Sequence, residues 1–437
     1  RHEGGAGLMA VADAKITGRP AVAMVSRGPG ATNASLAVHV AEQDAVPLVL
    51  LIGQVPRHEL GRRAFQEVDY SKTFADMAKW VWQVENADRL PEVLARAFAI
   101  AATPTPGPVV VVLPEDMLED ETAAPVVTPH ALPRAVPAPE DEVWEVIRMI
   151  SKATRPLLIA GGAVGSERGR KALLDASEAH GLPVALTFKR QDYFPNTHDH
   201  YAGHLGFKIP KPQVDMYAEA DLIIAVGTRL GEVTTQGYTF PNAPVPRQPL
   251  VHVTNDPTHI GRIFHTERAL VADPIAFLEA LAKEPSITPE SRKPWISRLH
   301  KFVAMGQAWT PPTDGILDMG PVAAAVKKYA DGDAILVTDA GNFAGWLHRH
   351  FPFNGRHLLI GSVGGAMGIA MPAAVAAGLR CKGRQVITWI GDGGALMTGS
   401  ELATAMQYGV PVKVFISSNG SYGTIRLHQE KAYKGRV

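Results

Sequence analysis

The sequence predicts an α/β protein made of three successive doubly wound domains, each with a parallel sheet. Three observations support this fold class. Short apolar runs rich in β-branched residues recur along the chain, and residues 108–113, which read PVVVVL, are an example. The runs lack the alternation of a half-solvated strand, so they are typical of strands buried on both faces. Helix-like stretches separate them, and the pattern restarts after each of two proline-containing breaks.

The first domain is expected over residues 1–121, where helix-like segments alternate with three predicted strands. Those strands lie at residues 21–26, 47–53 and 108–113. Residues 122–139 then carry five prolines and no helical period, which predicts an extended linker. A domain boundary is therefore predicted there.

The second and third domains are expected over residues 140–308 and 309–437, with a weak break at residues 309–315. The predicted strands of the second domain lie at residues 156–160, 220–227 and 249–253. Those of the third domain lie at residues 334–338, 385–390 and 412–416. Strands that alternate with helices in this way favour an open sheet covered on both faces.

Composition limits the kinds of partner that the protein can have. At 437 residues with 46% hydrophobic side chains, the chain is too long for a single core. Lys plus Arg and Asp plus Glu both total 43, so no net charge draws it to nucleic acid or an anionic membrane, and a small-molecule partner is expected.

With Cys381 as the single cysteine, no intrachain disulfide can form, which favours the cytoplasm. No stretch is apolar for long enough to span a bilayer, and the opening residues RHEGG indicate that the chain is part of a longer one.

The strongest local motif follows two predicted strands of the third domain. Residues 389–394 read WIGDGG and residues 417–423 read SSNGSYG. Ligands of open α/β sheets bind beyond the carboxyl ends of the strands, and small residues let the backbone approach a phosphate there. Asp392, Asn419 and a backbone carbonyl near Ser421 offer oxygen ligands of the kind that suits Mg²⁺. By itself Gly-Asp-Gly is more typical of a tight turn, and the partner segment is what favours a site.

Further motifs lie in the first and third domains. Residues 1–7 (RHEGGAG) contain Glu3, residues 26–33 read SRGPGATN, and residues 65–67 read FQE. Residues 361–368 read GSVGGAMG, and residues 341–343 read GNF. Taken singly, an acid near a chain end is a surface residue, and a Met among small residues fills a core.

Together these motifs resemble those of the thiamine-diphosphate-dependent enzymes of the acetolactate synthase family. The resemblance implies pyrimidine-binding, middle and diphosphate-binding domains in that order. It implies that Glu3 passes protons through the aminopyrimidine ring, that Gln66 donates to a developing oxyanion, and that Met367 bends the cofactor between its two rings. The implied metal ligands are Asp392, Asn419 and Ser421. The implied cofactor contacts are Gly28, Pro29, Asn33, Asn342, Gly365, Gly391, Gly393, Gly394 and Tyr422, with Met367.

The resemblance also gives expectations about the chemistry of these residues. A carboxyl held against an aromatic base in a poorly hydrated cleft would have a raised pKa, and we expect this of Glu3. Ser418 stands where the family has an asparagine, and Asn342 and Phe343 replace a glutamine and a histidine. His428 stands where the family has an acceptor-selecting tryptophan, so it and Arg426 are candidates for substrate contact.

The implied reaction is decarboxylation of a 2-oxo acid with carboligation to a second carbonyl, dependent on thiamine diphosphate and Mg²⁺. The alternatives are a 2-oxo acid decarboxylase, an aldehyde lyase, an acyl-CoA-handling relative, or a non-catalytic nucleotide-binding or regulatory protein of the same fold. The resemblance allows FAD in the middle domain, but the glycines of residues 161–165 lack the full fingerprint, so FAD is not expected. A homodimer or homotetramer with sites across the interface is expected. The sequence leaves the donor and acceptor substrates open.

Overall fold

A computed structural model describes residues 1–127, 136–207, 209–284, 290–308 and 319–436. Its strands form three separate sheets, one after another along the chain. The strands of the first sheet are β1 (Ala21–Val25), β2 (Leu48–Gln54), β3 (Trp80–Gln83) and β4 (Pro108–Pro114). Those of the second are β5 (Pro156–Ala160), β6 (Val184–Leu186), β7 (Tyr201–His204), β8 (Leu222–Val226), β9 (Leu250–Thr254) and β10 (Arg268–Val271). The last four strands are β11 (Ile335–Thr338), β12 (Leu358–Ile360), β13 (Val386–Gly391) and β14 (Lys413–Ser417).

Helices connect most of these strands. Up to the end of β4 the helices are α1 (Glu3–Thr17), α2 (Pro29–Gln43), α3 (Tyr70–Thr73) and α4 (Leu90–Ala102). The next helices are α5 (Glu140–Lys152), α6 (Glu167–His180), α7 (Lys211–Tyr217), α8 (Pro274–Lys283), α9 (Lys293–Gln307) and α10 (Met319–Tyr329). The remaining helices are α11 (Ala344–His350), α12 (Ala370–Arg380), α13 (Asp392–Thr398), α14 (Leu402–Gln407) and α15 (Gly423–Ala432).

The strand pairing confirms the predicted α/β class with parallel sheets. The first sheet has the order β1-β2-β4-β3 and the second the order β10-β9-β8-β5-β6-β7. In the third, β11 pairs with β13 and β13 with β14. These pairs run parallel in all three sheets. Parallel neighbours need a crossover connection, which is why a helix stands between most consecutive strands.

The second sheet is buried on both faces, as its uninterrupted apolar strands predict. Leu158 and Ala160 of β5 belong to one cluster of buried side chains. Leu157 and Ile159 of the same strand belong to another. Since successive side chains of a strand point to opposite faces, each cluster covers one face of the sheet.

The predicted strands all form, within a few residues of the expected bounds. The additional strands β3, β6, β7, β10 and β12 were not predicted. All five are three or four residues long, and β3 and β10 are only partly buried. Strands this short give too few residues for a period to emerge.

The chain divides into two compact units. The first consists of Arg1–Pro133, Ala334–Gly345 and Ile360–Val437, and so contains the first sheet and most of the third. The second consists of Arg134–Asp333 and Trp346–Leu359 and contains the second sheet. The predicted linker at residues 122–139 and the break at 309–315 fall partly or wholly outside the described residues. The domain boundaries drawn there stay predictions.

Small side chains let α1 pack closely within the first unit. This helix contacts α2 and α12, and a Cβ added to its Gly7 would come within 2.6 Å of the Ala37 Cβ of α2. Because α12 belongs to the third sheet's part of the chain, α1 brings two predicted domains into direct contact.

Candidate functional site

The carboxyl ends of β13 and β14 bring together the residues of the strongest motif. Gly391 pairs with Ser417 in the parallel register of these two strands. Asp392 follows Gly391 directly, and Asn419 stands two residues beyond Ser417. Both side chains therefore start from the same edge of the third sheet, as the sequence predicts.

Local hydrogen bonds shape each half of this edge. Asp392 begins α13, and its Oδ1 accepts a hydrogen bond from the Gly393 N–H at 3.0 Å. Asn419 Oδ1 accepts from the Ser421 N–H at 3.1 Å, which closes a tight turn around Gly420, where φ is 59°. This turn leaves Ser421 and Tyr422 exposed beyond the strand. Two helices stand between the two halves: α13, which begins at Asp392 itself, and α14.

Two glycines of the WIGDGG segment, Gly391 and Gly394, stand where no side chain would fit. A Cβ on Gly391 would lie 2.8 Å from Cε1 of Phe343. A Cβ on Gly394 would lie 2.5 Å from Oδ2 of Asp339. Phe343, which departs from the family pattern, therefore packs against the backbone of the motif.

The glycine loop, residues 361–368 between β12 and α12, reaches the same edge. Its Gly365 and Gly368 have φ values of 71° and 83°, which glycine adopts without strain. Met367 is 40% exposed, and its Cε lies 3.2 Å from where a Cβ on Gly393 would stand. The Gly368 N–H donates to Asp339 Oδ2 at 2.8 Å. The structure thus places Met367 directly beside the WIGDGG segment.

A second cluster forms around Glu3 in the first sheet's part of the chain. Glu3 is the first residue of α1, and His2 Nδ1 caps this helix by accepting from the Gly4 N–H. Asn33 Nδ2 of α2 donates to Glu3 Oε2 at 3.1 Å. A Cβ on Gly30 would lie 3.4 Å from Glu3 Oε1, so the SRGPGATN segment passes close to this carboxylate.

In the chain without cofactor the pKa of Glu3 is lowered, and a raised pKa against the bound aminopyrimidine ring stays a prediction. Its own backbone N–H and the Asn33 amide both stabilise the carboxylate, and the pKa of Glu3 lies below its usual value. Hydrogen bonds to the charged form lower a carboxyl pKa, and the partly buried position of Glu3 opposes them only weakly.

Gln66 lies beside the same segment. A Cβ on Gly28 would come within 2.8 Å of Gln66 Cβ, and Gly28 itself has a φ of 59°. The Gly28 N–H donates to the buried Tyr70 Oη at 2.7 Å, which fixes the start of α2. Gln66 is exposed with a φ of 66°, unusual for a residue other than glycine, and Pro29 is exposed on the first turn of α2.

The predicted site residues therefore fall into two groups. Those gathered around Asp392 are Asn419, Ser421, Tyr422, Gly365, Met367, Gly391, Gly393 and Gly394. Those gathered around Glu3 are Gly28, Pro29, Asn33 and Gln66. Asn342 is exposed between β11 and α11, and on α15 Arg426 lies 3.9 Å from Glu430. The roles of Asn342, Arg426 and His428 stay predictions.

Sequence reasoning missed residues that shape both groups. Asp339 and Tyr70 are buried and hold the glycine loop and the SRGPGATN segment by hydrogen bonds to backbone N–H groups. Neither residue stands in a recognisable motif. Burial and a backbone partner distant in sequence identify them, and both become visible only in three dimensions.

Comparison with known families matches all three parts of the chain. The family described as "Thiamine pyrophosphate enzyme, N-terminal TPP binding domain" matches residues 1–73. The corresponding central domain matches residues 143–281, and the C-terminal TPP binding domain matches residues 339–437.

Curated relatives extend over the whole chain. The acetolactate synthase large subunit of Parasynechococcus marenigrum (strain WH8102) is 34% identical over 100% of this chain and 71% of its own length. The chain belongs to the acetolactate synthase family of thiamine pyrophosphate enzymes. The acetolactate synthase of Mycobacterium bovis is 33% identical over 100% of the chain and 72% of its own length. Acetolactate synthase isozyme 1 large subunit of Escherichia coli K12 is 32% identical over 100% of the chain and 77% of its own length.

Membership of this family makes the protein a thiamine-pyrophosphate-dependent enzyme of the class that acts on 2-oxo acids. In the described part of the chain, no helix has both the length and the apolar character needed to cross a membrane.

The residues present fit the cofactor of the acetolactate synthase family. The backbone at Gly391 and Gly394 passes so close to Phe343 and Asp339 that only glycine is accommodated. Glycines at the end of a strand leave the backbone N–H groups accessible to a diphosphate. Across the described ranges, no three His, Cys, Asp or Glu side chains gather as a metal site. The candidate set is of another kind, made of one carboxylate, one amide and one backbone carbonyl.

Proposed function

We propose that this enzyme uses thiamine diphosphate and Mg²⁺ to decarboxylate a 2-oxo acid and to join the remaining fragment to a second carbonyl compound. The observation that supports it most is the register of β13 and β14, which brings Asp392 and Asn419 to one edge beside Met367. The relatives that match the whole chain are acetolactate synthases, whose name states a carboligation product.

The metal would be held by Asp392, Asn419 and the carbonyl of Ser421. A diphosphate is strongly anionic and Asp392 carries the same sign of charge, so a divalent cation between them removes the repulsion. Carboxylate, amide and carbonyl oxygens are the ligands that Mg²⁺ prefers. Gly391, Gly393, Gly394 and Tyr422 would contact the diphosphate on the same edge.

Thiamine diphosphate supplies, when bound, a nucleophilic carbon and a place for the electrons that decarboxylation releases. Glu3 provides the carboxylate that exchanges protons with the aminopyrimidine ring. The Asn33 amide holds this carboxylate in place from α2. Gln66 stands next to Gly28 with an exposed side-chain amide, which suits it to donate to a substrate oxygen.

Cofactor titration with two variants tests the proposal. Asp392→Ala should weaken Mg²⁺-dependent binding of thiamine diphosphate by at least about tenfold, because a metal ligand is lost. Glu3→Gln should keep binding but turn over pyruvate far more slowly, since the amide cannot exchange the proton. Isothermal titration calorimetry and a pyruvate-consumption assay measure the two effects.

Asp215→Ala is the matched control, because Asp215 is an exposed acid on α7 that pairs with Lys211. It should leave both binding and turnover within about twofold of the unaltered protein. Unchanged cofactor affinity in a folded Asp392→Ala variant would contradict the proposed metal site.

Product analysis separates carboligation from its alternatives. With pyruvate as the only carbonyl compound, the proposed reaction yields acetolactate, whereas a simple decarboxylase yields acetaldehyde. Chromatography of the products identifies either. A product mixture that contains aldehyde alone, with and without an added acceptor, would exclude carboligation.

The active form is proposed to be at least a homodimer, with each site built across the interface. Apolar side chains stand exposed next to the metal-binding edge, on α13 and α14. They are Leu396, Met397, Leu402 and Met406. Exposed apolar surface of this kind is typical of contacts between subunits. Sedimentation at assay concentration measures the oligomeric state. A fully active monomer would contradict the proposed dimer.

A further inference from the structure

A buried carboxylate at the end of α2 contacts the glycine loop. Asp44 follows the last residue of α2, and its side chain is 0% exposed. Its Oδ1 accepts from the Val363 N–H at 2.7 Å and from the Gly364 N–H at 3.2 Å. The Ser362 hydroxyl lies 3.4 Å from the same oxygen. One carboxylate oxygen thus holds three consecutive residues of the loop.

Lys15 of α1 completes this arrangement. Its ammonium group forms an ion pair with Oδ2 of Asp44 and also donates to the Gly361 carbonyl at 2.5 Å. The Lys15 side chain is only 10% exposed, so the pair is shielded from solvent. Lys15 and Asp44 together fix residues 361–364 by their backbone atoms as well as by Ser362. We call this arrangement the Asp44 clamp.

The other end of the glycine loop is held by a second buried carboxylate. The Gly368 N–H donates to Asp339 Oδ2 at 2.8 Å, and Asp339 is 1% exposed. Between these two anchor points lie Gly365, at a φ of 71°, and Met367. The residues proposed to face the cofactor are therefore carried by a short segment fixed at both ends.

The charge of Asp44 is important to the clamp. Hydrogen bonds from N–H groups to a carboxylate are stronger than those to a neutral oxygen, and burial increases the difference. Removing one member of a buried ion pair also leaves the other uncompensated. No hydrophobic contact could specify the path of residues 361–364 in the same way, because their backbone N–H and carbonyl groups require polar partners.

We propose that Asp44 is a positioning residue: through the clamp, the first sheet's part of the chain sets the conformation of the loop that carries Gly365 and Met367. This rests on the proposed function, since those residues matter through the cofactor. Asp44 contacts residues 362–364, which precede Gly365 and Met367 in the loop. Its effect reaches the site through backbone geometry alone.

Two measurements on Asp44→Asn test the proposal. Hydrogen–deuterium exchange of the peptide that covers residues 361–368 should become about tenfold faster, because two backbone N–H groups lose a charged acceptor. Affinity for thiamine diphosphate with Mg²⁺ should fall by about tenfold as the loop samples other conformations. The thermal unfolding midpoint is recorded for each variant, so that loss of fold is separated from loss of loop order.

Asp13→Asn is the matched control. Asp13 of α1 pairs with Arg380 of α12 at 2.6 Å, so it also links these two parts of the chain by a carboxylate and a cation. Among the described residues, Asp13 forms no hydrogen bond or ion pair with the glycine loop, and both Asp13 and Arg380 are more exposed than Lys15 and Asp44. This variant should leave loop exchange and cofactor affinity within about twofold of the unaltered protein.

Lys15→Gln is the second variant, which keeps a donor to Gly361 and serves if Asp44→Asn fails to fold. It should shift both quantities in the same direction by a smaller factor. Unchanged loop exchange, or faster exchange with unchanged cofactor affinity, would overturn the positioning role. Failure of the unaltered protein to bind thiamine diphosphate would instead contradict the proposed function. The exchange measurement needs no cofactor, so it would still decide whether Asp44 holds the loop.

Discussion

Glu3 shows how a motif residue acquires its chemistry from its neighbours. The sequence places it beside a glycine-rich helix start, and the structure adds the Asn33 amide at 3.1 Å. The resulting pKa lies below the usual value, because the backbone N–H of Glu3 and the Asn33 amide stabilise the charged form. A carboxylate that stays ionised can accept a proton from a ring once that ring is bound.

Replacement of Asn33 by Ala tests this electrostatic picture. One hydrogen bond to the carboxylate is lost, so the pKa of Glu3 should rise. Protonation then removes the active form at a higher pH, and the acidic limb of the kcat/KM profile should move upward. Ser35→Ala is the control, since the Ser35 hydroxyl on the same helix donates to the Thr32 carbonyl rather than to Glu3. An unchanged acidic limb in Asn33→Ala would show that Glu3 does not set it.

Other residue positions could be selected from the sequence alone. Asp392 and Asn419 are recognisable because each comes shortly after an apolar run and is flanked by small residues. Asp339, Asp44 and Tyr70 could not be found in that way. Each acts on a backbone group far away in the chain, and no local pattern encodes such a contact.

At the scale of elements, α13 shows why the WIGDGG segment needs its glycines. The helix starts at Asp392 directly after β13, so its first turn passes close to β11 and the residues after it. Gly394 faces Asp339, whose Oδ2 also accepts from Gly368. One close approach therefore connects the end of β13 with the glycine loop.

Gly394→Ala should disturb both segments. Its Cβ would lie 2.5 Å from Asp339 Oδ2 and 3.2 Å from Ile390 Cγ1, so Asp339 must move. We expect a loss of about 1–3 kcal/mol in the free energy of unfolding, as is usual for overpacking, together with weaker binding of thiamine diphosphate. Urea unfolding and calorimetric titration measure the two effects.

Gly399→Ala is the matched control five residues further on. A Cβ there would meet nothing within 4 Å, and the φ of −59° suits any residue. Unfolding should then cost the same or up to about 1 kcal/mol more, because alanine has less freedom to lose. Equal destabilisation by both changes would rule out the close approach to Asp339 as the cause.

At the scale of the whole molecule, the second unit is notable for its buried histidines. Burial lowers the pKa of several of its histidines, to about 4 for His204. The others are His180, His200, His252, His259 and His348. The folded unit therefore favours the neutral form of each histidine. His180 and His252 hydrogen-bond to the backbone carbonyls of Leu281 and Thr228.

The second unit should therefore lose stability in mild acid. Below the usual histidine pKa of 6.5, the unfolded chain binds protons that the folded unit does not, so the free energy of unfolding falls as the pH drops from about 6.5 towards 4. Hydrogen exchange of peptides from residues 209–284 at several pH values measures this. His204→Gln should reduce the dependence, and a stability that is constant from pH 7 to 5 would contradict it.

The amino-acid sequence was enough to predict the fold class, the order of the three sheets and the family. Apolar runs with no alternation require burial on both faces, and glycine-flanked polar residues after such runs mark the carboxyl edge of a sheet. These are local properties, so they can be read along the chain.

The contacts that hold the site residues in place could be seen only in the folded chain. The short strands, the grouping of the first and third sheets in one unit, the lowered pKa of Glu3 and the Asp44 clamp all depend on atoms that are distant in sequence. Asp44 and Gly364 are 320 residues apart and 3.2 Å from donor to acceptor. A buried carboxylate and a buried backbone N–H form a hydrogen bond because water is excluded from both. Which two groups come together depends on the fold of the whole chain.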